Sequence, residues 1–169
     1  MIYRFEDNEL RCPETEFDYK FLYDLRADPE VFNNLLSYMP TTYKQHVEYL
    51  DKINKEPNNK VFIFTINYAN IGVVRINNID YRNGTCEVGG DITKQYRSRG
   101  YSKHMYNTIF EFCKTQLNIR KLYLHVLDYN EVAQIVYEKM GFKKVGTMEK
   151  HVFKNGSFRD IIIMERFLS

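Results

Sequence analysis

The sequence of 169 residues contains no tryptophan, few prolines and glycines, and no long apolar run. Its four prolines and eight glycines are too few for a long disordered segment, which is usually rich in both. No apolar run approaches the roughly 20 residues of a membrane span, and residues 1–7 lack the apolar core of a signal peptide. We therefore expect a single domain that is cytoplasmic and has no contact with a membrane.

Cysteine and net charge are scarce as well. Cys12, Cys86 and Cys113 are an odd, scattered set without the spacing of metal ligands, so we expect reduced, buried thiols and no metal. A net charge of +2 is too small to indicate a nucleic-acid partner. Acidic residues outnumber basic ones up to Lys60, 12 against 8, and the balance then reverses, 10 against 16. This asymmetry would suit a cationic substrate and an anionic cofactor, or it is ordinary scatter of surface charge.

The first 60 residues carry apolar residues at helical spacing, which predicts three helices. The first helix is marked by Phe17, Phe21, Leu22 and Leu25. The pair Asp28–Pro29 is typical of an N-cap followed by proline at the first helical position. Thr42 and Gln45 fit a capping box that opens the third helix, on which His46 is expected to face solvent.

From residue 60 onward the pattern is that of strands joined by short turns. Strands are predicted at 60–67, 70–80 and 85–93, and Asn83–Gly84 is a strong hairpin signal before the third. The remaining predicted elements are a helix at 101–117, a strand at 121–126, a helix at 130–140, and strands at 143–153 and 158–167. A strand, a helix and a strand in succession predict one parallel pair. The fold class is therefore a mixed α/β sheet in one domain.

The basic, glycine-containing segment 97–102 stands between a predicted strand and a predicted helix. The free amide groups of a first helical turn and the helix dipole favour an anion at such a place. Gly100 allows a close approach of backbone to ligand, and the two arginines of the segment add positive charge. In the strand before it, Gly89–Gly90 predicts either a bulge or a close approach of a ligand to the backbone.

Two motifs carry a resemblance to a known family. Arg97 and Gly100 match the Gln/Arg-x-x-Gly-x-Gly/Ala pattern of the GNAT superfamily of acyl-CoA-dependent N-acetyltransferases, and Ser102 departs from it. Residues 130–142 resemble the family segment N-x-x-A-x-x-x-Y-x-x-x-G-F. The ending, 151–160, resembles the branch that holds ribosomal-protein N-terminal, spermidine and nucleotide-amino-sugar acetyltransferases. The resemblance implies a GNAT fold with a mixed, mostly antiparallel central sheet that is flanked by helices and splayed at the cofactor site.

The resemblance also implies acetyl-CoA as the donor substrate and indicates its contacts. In the family the pantetheine arm pairs with the end of the strand before the turn, here the backbone of Asp91, Ile92 and Thr93. Asn130 is either a cofactor contact or only the N-cap of its helix. The residues expected to surround the pyrophosphate are those of the turn and the first helical turn: Arg97, Ser98, Arg99, Gly100, Tyr101, Ser102 and Lys103.

Catalysis requires attack of a neutral amine on the thioester and protonation of the departing thiolate. Tyr137 stands at the family's position for that acid and would also contact the cofactor, although by spacing alone it is a core aromatic residue. Glu87 lies on the strand that leads to the turn, on the same face as Gly89 and Asp91. It is either the base, acting through water, or a structural carboxylate. His125 is expected to be packed or paired.

The acceptor is expected to be a primary amine. Residues 1–60 and the turn at 38–41 would shape its site, while residues 61–169 supply the sheet and the acetyl-CoA site. We favour a small molecule, either an amino-sugar nucleotide or a polyamine. A polyamine requires clustered carboxylates, which Asp28, Glu30 and Glu48 would supply, whereas a sugar nucleotide requires basic and aromatic groups.

Three alternatives stay open at this point. The acceptor could be a protein N-terminal amine, and the chain could be a non-catalytic acyl-CoA-binding module on the same fold. Exposed edge strands also allow a homodimer.

Overall fold

The chain alternates short strands and helices, which a computed structural model describes for residues 1–37 and 41–168. The strands are β1 (Ile2–Phe5), β2 (Asn8–Arg11), β3 (Lys60–Ile66), β4 (Ala69–Asp80), β5 (Thr85–Ile92), β6 (Lys121–Leu127), β7 (Lys143–Lys154) and β8 (Ser157–Phe167). The helices are α1 (Glu16–Ala27), α2 (Pro29–Phe32), α3 (Tyr43–Ile53), α4 (Tyr101–Leu117) and α5 (Glu131–Lys139). Within the described ranges no helix has the length and apolar character needed to cross a membrane.

The eight strands form one sheet in the order β1-β2-β3-β4-β5-β6-β8-β7. β3, β4 and β5 form the expected antiparallel meander. α4 connects β5 to β6, and these two strands form a parallel pair. β8 lies between β6 and β7 and is antiparallel to both. The prediction of a mixed, mostly antiparallel sheet flanked by helices is confirmed.

Side chains alternate across the sheet and build a hydrophobic core on each face. Phe62 and Phe64 of β3 are fully buried in the core that α4 covers, together with Met105 of that helix. Ile63, between them, belongs to the opposite core with Leu22 of α1. Each fully buried side chain of this size contributes roughly 1.5–3 kcal/mol relative to an exposed one, so both helix layers stabilise the sheet.

The predicted helix starts are confirmed. The Asp28 carboxylate accepts a hydrogen bond from the Glu30 amide at 2.9 Å, and proline follows it at the first helical position. Thr42 and Gln45 form the expected reciprocal capping box of α3. The side chain of Asn130 accepts a hydrogen bond from the first turn of α5.

The first 60 residues differ from the prediction. β1 and β2 form a hairpin at the edge of the sheet, so the prediction that residues 1–60 are acceptor-side helices is wrong for this part. Strands of four residues are too short to show a clear alternation of apolar and polar side chains. α2 ends at Phe32 after four residues, and Phe17, expected in the apolar stripe of α1, is 88% exposed. Residues 38–40 of the turn predicted at 38–41 lie outside the described residues.

A buried carboxylate joins this hairpin to α1 and β4. Arg11 Nη2 of β2 donates to Asp18 Oδ1 at 2.6 Å and to Asn70 Oδ1 at 3.0 Å. Asp18 Oδ2 accepts from the amides of Glu14 at 3.0 Å and Thr15 at 3.1 Å, which completes a capping box. Burial alone would raise the pKa of Asp18, but these hydrogen bonds outweigh it and hold the pKa well below its usual range.

Replacing Asp18 by Asn should lower the free energy of unfolding by about 2 kcal/mol at pH 7, because hydrogen bonds to a charged partner are lost or weakened. A carboxyl group whose folded-state pKa is lowered stabilises the protein above its unfolded-state pKa of about 3.9, and this stability is lost as the pH falls towards the lowered value. The difference between the wild type and Asp18→Asn should therefore shrink below about pH 4. Urea unfolding at pH 7 and pH 3 measures both effects.

Asp24→Asn, on the exposed side of α1, is the matched control. Asp24 pairs there with Lys20 at the surface, and such a pair contributes at most about 1 kcal/mol. An equal loss of stability in the two variants, or a difference that is the same at pH 3 as at pH 7, would contradict the role of Asp18.

Candidate active site

β5 and β6 separate part-way along their length. They pair from Thr85 opposite Lys121 to Glu87 opposite Tyr123. Beyond Glu87, β5 stays paired with β4 as far as Ile92, while β6 stays paired with β8 to its end. The two facing strand edges therefore carry backbone groups that have no strand partner in the described part of the chain. The sheet is splayed at the place where the resemblance puts the pantetheine arm.

Of the two alternatives predicted for Gly89–Gly90, the structure excludes the bulge, because β5 pairs with β4 without a register shift from Glu87 to Ile92. The close approach of a ligand to the backbone stays a prediction, and Gly90 also has a packing role. A Cβ atom on Gly90 would lie 2.7 Å from Met105 Cε and 2.9 Å from the carbonyl oxygen of Val73. Gly90 is therefore required because α4 packs directly on the strand.

At the end of β5, Thr93 continues the splayed edge. Its amide donates to the Ile71 carbonyl oxygen at 2.9 Å, which keeps the chain on β4. Its buried hydroxyl has no hydrogen-bond partner in the described ranges. A buried polar atom without a partner next to an open strand edge is a feature that a ligand could satisfy.

The segment 97–102 forms an open turn at the start of α4. Ser98 and Gly100 have positive φ angles of 59° and 82°, and Gly100 is the N-cap residue. No side chain caps this helix start in the described structure, and a Cβ atom on Gly100 would meet nothing within 4 Å. Ser98, Arg99, Gly100 and Lys103 are exposed, while Tyr101 and Ser102 are half-buried. The first amides of α4 are thus accessible to an anion, as predicted for this turn.

Arg97 does not face this open turn. Its Nε donates to the Ile92 carbonyl oxygen at 2.9 Å, and Nη2 donates to Asp28 Oδ2 at 2.8 Å. Its Nη1 forms a short ion pair with Glu30. The expectation that the Arg97 side chain holds the pyrophosphate is therefore not supported. Two carboxylates of residues 28–32, which are α2 with its N-cap residue (the α2 segment), already bind the Arg97 guanidinium.

This arrangement also divides the three carboxylates predicted to attract a polyamine. Asp28 and Glu30 are bound to Arg97, whereas Glu48 lies on the exposed side of α3, 4.0 Å from Lys44. The three groups do not converge on one site.

Tyr137 of α5 lies in an aromatic cluster beneath the splay. Its ring packs edge-to-face on Tyr106, with centroids 5.6 Å apart, and on Phe142, with centroids 5.9 Å apart. Burial is the main cause that raises the pKa of Tyr137, and the charge of Asp91 on β5 raises it further. A phenol with a raised pKa stays protonated at neutral pH and is able to donate its proton.

Glu87 and His125 form a pair at the point where the strands part. His125 Nδ1 lies 2.8 Å from Glu87 Oε1, and Asn78 Nδ2 donates to Glu87 Oε2 at 2.9 Å. The hydrogen bond with His125 is the main cause that lowers the pKa of Glu87. His125 is paired, as expected, and the carboxylate orients its imidazole ring.

His46 is buried rather than solvent-facing, so that prediction is wrong. It is 5% exposed, and its Nε2 has no hydrogen-bond partner among the described residues. Burial, and then the charges of Arg26 and Arg75, lower the pKa of His46 to about 4, so the imidazole is neutral at pH 7. Sequence reasoning missed both arginines, because an arginine on a helix or a strand carries no local signal of burial.

These three residues line a small cleft of about 30 Å³ between the sheet and the helices α1 and α3. Its polar lining consists of Arg26, His46, Tyr49, Arg75 and Asp91. Arg75 Nη2 donates to Asp91 Oδ2 at 2.5 Å, which closes the cleft on the β5 side. Asp91, predicted to act through its backbone, thus has its side chain in this cleft and not at the turn.

The cysteines take no part in the site. Cys86 and Cys113 are buried free thiols whose sulfur atoms are 4.0 Å apart, and Cys12 is a half-buried free thiol. In the part of the chain that the structure describes, no group of three or more His, Cys, Asp or Glu side chains could hold a metal ion.

Known proteins of one family match the chain along most of its length. The sequence profile of the acetyltransferase (GNAT) domain matches residues 9–143. Spermidine N(1)-acetyltransferase of Vibrio cholerae is 27% identical over an alignment of 161 residues, and the match covers 90% of this chain and 91% of the relative. An L-amino acid N-acetyltransferase of Escherichia coli is 24% identical over 159 residues, which are 93% of this chain and 96% of the relative.

Solved structures agree on the fold. The crystal structure of spermidine N-acetyltransferase from Vibrio cholerae in complex with CoA and spermine superposes with a TM-score of 0.88 at 23% identity. The superposition covers 97% of each chain. Because the family profile spans most of the sequence and the relatives match over nine-tenths of it, this chain belongs to the GNAT acetyltransferase family and is an N-acetyltransferase.

Proposed function

We propose that the protein transfers an acetyl group from acetyl-CoA to the primary amine of a small molecule, by direct attack of the amine on the thioester. The opening between β5 and β6 is the observation that carries the proposal. An extended arm with amide groups would pair with the free edge of β5, near Asp91, Ile92 and Thr93. The relative from Vibrio cholerae that was solved with CoA has the same fold, which supports this donor.

The phosphates of the donor would bind at the open turn. The first amides of α4, the exposed Arg99 and Lys103, and the hydroxyl groups of Ser98 and Ser102 supply donors and positive charge there. Arg97 contributes indirectly, since its bonds to Asp28 and to the Ile92 carbonyl hold the turn against β5 and the α2 segment. Asn130 caps α5, and a direct contact with the cofactor stays a prediction.

Tyr137 is the proposed acid. When the amine attacks the thioester carbonyl, the C–S bond breaks and a thiolate leaves, which the phenol protonates. The phenol of Tyr137 is protonated at neutral pH and therefore carries the proton that the thiolate needs.

Glu87 is proposed to act through His125 rather than as the base itself. A carboxylate with a lowered pKa is a weak base, but it holds the Nδ1 of His125 and leaves Nε2 to accept the proton of the amine. Both side chains lie on the α1–α3 side of the sheet, since they alternate with Val88 and Leu124 of the opposite core. The acceptor would therefore approach from the α1–α3 side.

The acceptor is proposed to be a small molecule because the substrates named for the relatives are small-molecule amines. Polyamines are the substrates named for two relatives, and amino acids for a third. A protein N-terminal amine as acceptor, a non-catalytic acyl-CoA-binding role and a homodimer stay predictions. Release of free CoA thiol in the presence of a panel of amines distinguishes these acceptors.

Tyr137→Phe should lower kcat by about 100-fold or more, because an acid in the transition state contributes about that much. The KM for acetyl-CoA should change little, since the ring and its packing are retained. Steady-state kinetics at saturating donor measure both constants. Tyr129→Phe, in the loop before α5, is the matched control and should retain a normal kcat. Unchanged acetyl transfer by Tyr137→Phe with every accepted amine would remove the residue from the mechanism.

Gly100→Ala should weaken CoA binding by about tenfold or more, because a methyl group would stand where the phosphates approach the backbone. Gly156→Ala is a close control: Gly156 has a φ angle of 81°, Gly100 has one of 82°, and a Cβ atom meets nothing within 4 Å at either site. Both variants should lose about 1 kcal/mol of stability. Titration calorimetry with CoA measures affinity, and equal affinity of the two variants would refute the phosphate site.

His125→Gln should lower kcat by about 100-fold, and Glu87→Gln by about tenfold, without a change in the KM for acetyl-CoA. Because Glu87 acts through His125, the double variant should be no slower than His125→Gln alone. His151→Gln, at an exposed position of β7, is the control. If the two effects simply multiply, Glu87 and His125 do not act as one unit.

A further inference from the structure

The cleft on the α1–α3 side carries more positive charge than its one carboxylate can balance. Arg75 is paired with Asp91, the one carboxylate of the lining, so none remains in the lining for the second arginine, Arg26. Arg26 forms no ion pair among the described residues; its Nη2 donates to the Ser37 hydroxyl at 3.1 Å. Burial, and then the neighbouring charge of Arg75, lower the pKa of Arg26, and the opposing effects of Tyr49 and Asp91 are smaller.

A third cation lies close to Arg26. The ammonium group of Lys154 donates to the carbonyl oxygens of Phe32, Leu35 and Ser37 at 2.8–2.9 Å. Burial and the charge of Arg26 lower its pKa. These carbonyls are dipoles without net charge, so the positive charge of Lys154 adds to that of Arg26 at this end of the cleft.

His46 completes the polar lining with a free group. Its Nε2 is buried, lines the same cleft and has no partner in the described structure. A neutral imidazole with the proton on this nitrogen donates one hydrogen bond without adding charge. A buried donor next to an unpaired guanidinium is the arrangement that a negatively charged oxygen satisfies.

We propose that the acceptor carries an anionic group, a carboxylate or a phosphate, and that this group binds between Arg26 and the Nε2 of His46 while its amine points towards the splay. The inference rests on the proposed function and specifies its substrate class. The cleft of about 30 Å³ has room for the anionic group alone, so the rest of the acceptor would extend from it towards the splay. A polyamine has no group for this site and would bring positive charge to it, and Asp28 and Glu30 are already bound to Arg97.

The test compares acceptors that differ only in the anionic group. L-Leucine is paired with 3-methylbutylamine, O-phosphoethanolamine with ethanolamine, and spermidine is the polyamine probe. We expect kcat/KM for one anionic acceptor to exceed that of the paired amine without the anionic group by roughly 100-fold. A site that binds a charged group discriminates against the analogue that lacks it. The leucine and phosphoethanolamine pairs distinguish a carboxylate from a phosphate.

Variants of Arg26 connect this preference to the cleft. Arg26→Met should reduce the anionic-to-neutral ratio of kcat/KM by about tenfold or more, mainly through the KM of the anionic acceptor, and Arg26→Lys should restore part of it. Arg82→Met removes the same charge from the exposed turn after β4 and should leave the ratio unchanged. Melting temperatures of all variants confirm that they are folded.

A binding measurement keeps this inference separate from the proposed function. In the presence of CoA, the preferred anionic acceptor should raise the melting temperature of the wild type but not that of Arg26→Met. Each of three results would overturn the anionic subsite. The first is that spermidine or the neutral amines are used as well as the anionic acceptors. The others are an anionic-to-neutral ratio of kcat/KM that persists in Arg26→Met, and the absence of a thermal shift with either anionic probe. Failure to acetylate any amine would instead overturn the proposed function. The thermal-shift measurement would still test whether the anionic group binds at the subsite.

Discussion

The separation of β5 from β6 inside a continuous sheet is the constraint that organises this molecule. Buried backbone groups need partners, and a strand that leaves its neighbour loses them on one edge. Here β5 remains bound to β4, and β6 to β8, so both sides of the opening are held by complete ladders. The opening is therefore a groove between two strands that are each held by another neighbour, and under the proposed function an extended ligand with amide groups would complete the sheet. Gly90 allows α4 to lie directly against β5, which brings the first turn of that helix to the end of the groove.

The arginines near this groove differ in their partners. Arg97 is bound by Asp28 and Glu30, so it ties the turn at 97–102 to the α2 segment and its charge is balanced by these two carboxylates. Arg26 has no such carboxylate among the described residues and faces a cleft next to a neutral imidazole. Residues of the same type thus differ in how far their charge is balanced, because only one of these two has an acidic partner among the described residues. The acidic segment that suggested a polyamine site is, in the fold, part of the protein's own framework.

Much of the fold could be predicted because its signals are local. Capping side chains such as Thr42 and Asn130, the hairpin signal at Asn83–Gly84 and the apolar periodicity of α4 act within a few residues. The hairpin of β1 and β2 could not be predicted, because strands of four residues owe their conformation to pairing with β3 across the sheet. His46 illustrates the same limit for the site, since its burial depends on the packing of α3 on α1 and not on its neighbours in sequence.

The sequence by itself determined the element order from residue 60 onward, the helix starts, the open turn at 97–102 and the family, because each of these depends on residue types at short, fixed spacings. It also placed Tyr137 as a candidate through the motif around it, and Glu87 through its place on the strand that leads to the turn. Only the tertiary structure decided which charges are free. The pairing of Arg97 with Asp28 spans 69 residues, and that of Glu87 with His125 spans 38. Such contacts arise when the sheet and its helices assemble, and local sequence does not encode them.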